Sequence, residues 1–124
     1  MTSQGHSQER RKDPRVRNNV PVKITNLDGD QVTETANISR SGAYCRVEKY
    51  IEPMTKLNIN LLVPFRKNKK VSSKKVNCGG VVIRTEPVPG QEAFNIAIFF
   101  NDITKKDADC ISDYVSFYLE KDNS

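Results

Sequence analysis

The chain has 124 residues, of which 36% are hydrophobic, and 20 basic against 15 acidic residues give it a formal net charge of +5. That length implies one domain whose core stands without disulfide or metal staples. No apolar run approaches the roughly 20 residues that span a bilayer, and the polar opening MTSQGHSQER lacks the apolar segment of a secretory signal.

In chain order, residues 1–9 are small and polar and are expected to form a flexible tail, with the folded domain over 10–124. The run RRKDPRVR follows and carries four arginines and a lysine. Val20, Val22 and Ile24 then alternate with Pro21, Lys23 and Thr25, the period of a half-buried strand. Asn26 to Asp30 is turn chemistry, in which Asp28-Gly29 suits the positive φ of a tight hairpin. Threonine-rich Gln31 to Ile38 reads as the returning strand, Ser39-Arg40-Ser41-Gly42 as a break, and Ala43 to Val47 as a short third strand. Pro53 marks a connection. Leu57, Ile59, Leu61 and Val63 alternate cleanly, and Pro64 is expected to end their strand. Arg66 to Lys75 reads as a loop with six basic residues and no acidic one. A strand is predicted over Val76 to Thr85, with a bulge or close approach at Gly79-Gly80. Pro87-Val88-Pro89-Gly90 reads as a turn and Phe94 to Phe100 as a dense apolar strand.

The period then changes. Asn101 to Thr104 offers N-cap chemistry, Asp107 lies in the first turn, and Ala108, Ile111, Val115 and Tyr118 recur at helical spacing. About six short strands and one C-terminal helix predict an all-β fold, a six-stranded antiparallel barrel with the helix over one end. Cys45, Cys78 and Cys110 have no close partner in sequence and read as small, largely buried thiols of a reducing cytoplasm.

Nothing points to catalysis. The sole histidine, His6, falls in the expected tail, and no nucleophile elbow, Walker-type phosphate loop or His-Glu-Xaa-Xaa-His is present. The chain is read as no enzyme, with neither cofactor nor metal. Two segments do carry binding chemistry. Arg11-Lys12-Asp13-Pro14-Arg15 sets two planar, permanently charged forks four residues apart in a segment stiffened by proline, a pattern suited to phosphate or to a merely solvated tail. Asn37-Ile38-Ser39-Arg40-Ser41-Gly42 puts two short hydrogen-bonding side chains on one strand face, ahead of a glycine that leaves room for a flat group.

Arg11 and Arg15, followed by Asn37, Ser39 and Gly42, resemble the Arg-Xaa-Xaa-Xaa-Arg and Asp/Asn-Xaa-Ser-Xaa-Xaa-Gly signature of PilZ domains. Val81 to Arg84 and Asn95 to Ile103 resemble that family's later strands and its approach to the helix. The resemblance implies a bacterial barrel with a C-terminal helix that binds cyclic di-GMP. It implies that Arg11 and Arg15 grip phosphate and guanine, that Asn37 and Ser39 meet a guanine edge, and that Gly42 keeps the surface open. Arg10 matches a position where a basic residue favours two stacked ligands over one. Asp13 departs from the common pattern by putting a negative charge beside the phosphate grip. The resulting reading is a cytoplasmic receptor, monomeric or weakly dimeric, that passes an N-terminal conformational switch to a protein partner. Its rivals are a PilZ-type adaptor with little nucleotide affinity, and a small barrel binding nucleic acid through Arg66 to Lys75.

Overall fold

The alternation at Val20, Val22 and Ile24 becomes the first wall of a closed barrel. The computed structural model describes residues 19–67 and 70–123, with the side chains of 66, 67 and 118–123 left aside. The strands are β1 (Pro21–Asn26), β2 (Gly29–Ser39), β3 (Gly42–Val47), β4 (Lys56–Lys67), β5 (Lys70–Pro87) and β6 (Phe94–Asp102), followed by helix α1 (Lys105–Asn123). They close in the order β1-β2-β3-β6-β5-β4, every pairing antiparallel. Closure leaves the ring without a free edge, and six strands enclose only enough space for side chains. Ile24, Ile38, Ile59, Leu61, Val76, Val82 and Ile96 fill it. Burying each such side chain contributes about 1.5–3 kcal/mol relative to leaving it in water.

Helix α1 begins where the sequence predicts. Thr104 is its N-cap: its Oγ1 accepts the Asp107 N–H at 3.1 Å, which satisfies one otherwise unpaired donor of the first turn. Ala108, Ile111, Tyr114 and Val115 form the buried face. Ile111, Tyr114 and Val115 join the same core cluster as the barrel interior. The helix also packs on β2 and β4, which flank β1 in the ring, so it stops one end of the barrel.

The structure departs from the sequence reading at β4 and β5. Pro64 does not end its strand, and the described residues of the expected Arg66–Lys75 loop are strand: Leu62 to Lys67 pairs with Lys75 to Lys70 in one unbroken antiparallel ladder. β1 covers β4 only from Asn58 to Leu61, so at Pro64 one edge of the strand has no neighbour. A proline nitrogen facing that edge costs no ladder bond. β5 in turn meets β6 only from Gly79 onward. The two strands therefore run beyond the barrel as a basic two-stranded ribbon.

The turns agree better. Leu27 and Asp28 form the β1–β2 loop, Asn26 Oδ1 accepting the Asp28 N–H at 2.9 Å, with Gly29 following at φ +125°. The β5–β6 register shifts between Gly79 and Val81 and again between Val82 and Arg84, the first at the expected glycine pair.

Candidate ligand-binding site

The second motif lies on the β2–β3 hairpin. Thr35 pairs with Cys45, Asn37 with Tyr44, Ile38 with Ala43 and Ser39 with Gly42, and a register shift between Thr35 and Asn37 leaves Ala36 as the extra residue. Strict alternation gives Thr35 and Asn37 the same face. The bulge breaks that: Thr35 is buried opposite core residue Cys45, while half-buried Asn37 shares the outer face with Tyr44.

Ser39 and Gly42, both expected at the ligand, lie buried in this hairpin. Ser39 is 0% exposed. Its hydroxyl accepts the Ser41 N–H at 3.2 Å, lies 3.2 Å from the Ser41 hydroxyl and reaches the Gly42 carbonyl at 3.5 Å. It therefore folds the turn that shows Arg40 and Ser41 to the surface. Gly42 is also buried and does not have positive φ. Glycine is needed there because a Cβ would overlap the carbonyl oxygen of Ile98 on β6. Exposed Arg40 stands 3.5 Å from Asp109 of α1, and the other Asp109 oxygen holds Lys105 at 3.0 Å. This ion pair ties the motif turn to the helix.

Arg10, Arg11 and Arg15 lie outside the described residues. The point from which their segment departs is well defined. The Val20 N–H donates to Thr35 Oγ1 at 3.0 Å and the Thr35 N–H donates to the Val20 carbonyl at 2.9 Å. Thr35 is two residues from Asn37. Arg15, five residues before Val20, has a backbone reach of up to about 17 Å from this clamp, and Asn37 is about 7 Å along the strand.

Two outer-wall residues escape sequence reasoning. Arg84 on β5 donates through Nη2 to the Tyr44 hydroxyl at 2.9 Å, with its guanidinium carbon 6.0 Å from the ring centroid. Register aligns Asn37, Tyr44, Ala97 and Arg84 across four strands, with Ala97 buried between Tyr44 and Arg84 in the row. An amide, an aromatic ring and a cation in one row suit a planar, anionic ligand with hydrogen-bonding edges. Only the fold unites Tyr44 and Arg84, because they are 40 positions apart.

The three thiols are not activated as nucleophiles. Burial pushes the thiols of Cys45 and Cys78 up to about 12, with Asp107 and Asp102 adding to the shift at Cys78, and burial also raises Cys110. Among the described residues no cluster of His, Cys, Asp and Glu is arranged to hold a metal, and no helix is long and apolar enough to cross a membrane.

No protein of curated function matches the chain. Among solved structures, the Bacillus subtilis inhibitor of motility, MotI/DgrA, superposes with a TM-score of 0.76 at 17% identity, over 90% of this chain and 52% of its own. This chain thus spans about half of that protein. The PilZ domain of YcgR from Escherichia coli, solved with c-di-GMP, superposes with a TM-score of 0.58 at 12% identity, over 92% of this chain and 94% of its own. Both likenesses are likenesses of fold. The family model for the PilZ domain matches residues 9–117, from the arginine segment to the last turns of α1. The protein belongs to the PilZ domain family.

Proposed function

We propose that this chain is a receptor for cyclic di-GMP and not an enzyme, and that it takes the nucleotide on the outer wall around Asn37. In this reading residues 10–124 form the binding domain and 1–9 a tail. Arg11 and Arg15 close on the phosphates and a guanine, and Asn37 meets a guanine edge. Ser39 and Gly42 shape the hairpin, while Tyr44 and Arg84 offer a ring and a cation to the same ligand. Arg10 sits where a second, stacked ligand molecule would be felt. The receptor works in the cytoplasm as a monomer or weak dimer. Closure of the arginine segment changes the surface that a protein partner reads.

The observation that carries the reading is the reciprocal Val20–Thr35 clamp, which starts the arginine segment within reach of Asn37. The energies suffice. A charge-assisted hydrogen bond contributes about 1.5–3 kcal/mol, and a micromolar complex needs about 8 kcal/mol. Calorimetric titration with cyclic di-GMP tests it and gives affinity and stoichiometry together. Saturable binding is expected, and Arg11→Ala or Arg15→Ala is expected to cost about 2 kcal/mol, roughly thirtyfold in affinity. Absence of binding at high micromolar nucleotide removes the reading. Undiminished affinity in both variants puts the site elsewhere.

A further inference from the structure

A second surface lies away from the motif hairpin. Between the β4–β5 ribbon and α1 runs a groove of about 1110 Å³. Phe65 and Val71 from the ribbon, and Tyr114 and Phe117 from the helix, give it an apolar floor. Phe65 is 40%, Val71 65% and Phe117 37% exposed. Large side chains left open together in one concave strip mark a surface that is covered in use. Lys74 and Lys75 line it from the ribbon, Lys105 and Lys106 from the helix. Asp109 and Asp113 also line it, but Asp109 is already engaged by Lys105 and Arg40. Four cations against two carboxylates leave the lining positive.

The occupant follows from this chemistry. An apolar floor between lysine-bearing walls complements a helix with one apolar face and carboxylates along its flanks. A helix about 11 Å across, rising 5.4 Å per turn, displaces about 500 Å³ per turn, so the groove takes about two turns. A second copy of this groove brings lysine against lysine. The arginine-rich N-terminal segment meets the same repulsion. Single-stranded nucleic acid asks for a continuous cationic track under its phosphates, whereas Asp109 and Asp113 stand in this lining. A membrane surface suits a convex face better than a cleft. We propose that this groove docks an acidic amphipathic helix of a protein partner. The docking stands on the groove alone and does not require the nucleotide reading.

The test uses the full chain and a fluorescent synthetic peptide of about four helical turns, with leucines at helical spacing and glutamates on both flanks. Anisotropy is expected to show saturable binding, and an isomer with lysine for glutamate is expected not to bind. The double variant Lys105→Glu, Lys106→Glu and the single variant Val71→Ser are each expected to weaken the acidic peptide about tenfold. All three positions are exposed, so their melting curves serve as the check on folding. Cyclic di-GMP titrated into the same variants is expected to bind as before, which keeps this result separate from the receptor reading. The proposal is overturned if neither peptide binds at about 1 mM. Equal binding of both peptides, or unchanged affinity in both variants, overturns it too. Tighter capture by phosphatidylglycerol vesicles or by oligouridylate than by the acidic peptide also overturns it, in favour of a lipid or nucleic-acid partner.

Discussion

Met54 has φ +74° and is the one non-glycine with positive φ among the described residues. It follows Pro53 in a turn closed by the Thr55 N–H on the Glu52 carbonyl at 3.2 Å. Proline then a left-handed residue is a type II turn, whose third position favours glycine. The chain uses glycine at the matching place in Val88-Pro89-Gly90-Gln91, where Gly90 has φ +75° and Gln91 N–H bonds the Val88 carbonyl at 3.1 Å. Met54 is held by its N–H bond to Val82 O at 2.6 Å, while its side chain is exposed. Met54→Gly is therefore expected to stabilise the fold by about 0.5–1 kcal/mol in urea unfolding, since it relieves the strain and removes no packing. Cys45 supplies a pH dependence. Its thiol ionises at an ordinary value of 9.0 when unfolded and at about 12 when buried, so its contribution to stability is whole below pH 9 and is lost as pH rises toward 12. Each pH unit in that window weakens the fold by about 1.4 kcal/mol per such thiol. Cys45→Ala is expected to flatten part of this alkaline fall; identical slopes would refute the assignment.

Among the elements, α1 shows how much a local signal can fix. Thr104 and Asp107 are readable as a helix start, and the structure realises that start as one 3.1 Å bond. Thr104→Ala is expected to cost about 1 kcal/mol by thermal or urea denaturation. The strands of the barrel were legible because alternation over Leu57–Val63 and the density of Phe94–Phe100 reflect burial directly. The ribbon was not. Its residues answer to pairing across two strands, not to burial, so lysines and serines carry no period, and the edge that tolerates Pro64 is visible only once β1 is in place. The site was legible to the same degree. The residue types of the Asn37 hairpin are plain in sequence, but the demand on Gly42 comes from Ile98 on another strand, and Asn37 faces outward only through a bulge at Ala36. The link of Tyr44 to Arg84 depends on β5 and β6 lying beside β3.

At the scale of the whole molecule, the closed ring hides every backbone edge it can, and the ribbon is where it stops doing so. β4 beyond Leu61 and β5 before Gly79 pair with each other but with no third strand. Such edges invite strands of other molecules, and lysine is a common deterrent. Lys70, Lys74 and Lys75 stand along this one. Their deterrence is electrostatic and therefore conditional: repulsion reaches about 10 Å at 0.1 M ionic strength but only about 3 Å at 1 M. The molecule thus carries a salt-tuned safeguard against sticking to itself. Sedimentation velocity is expected to show a single slow species in dilute buffer and heavier species in molar salt, with Lys74→Ser, Lys75→Ser lowering the salt needed; a distribution indifferent to salt would mean that something other than charge keeps these edges apart.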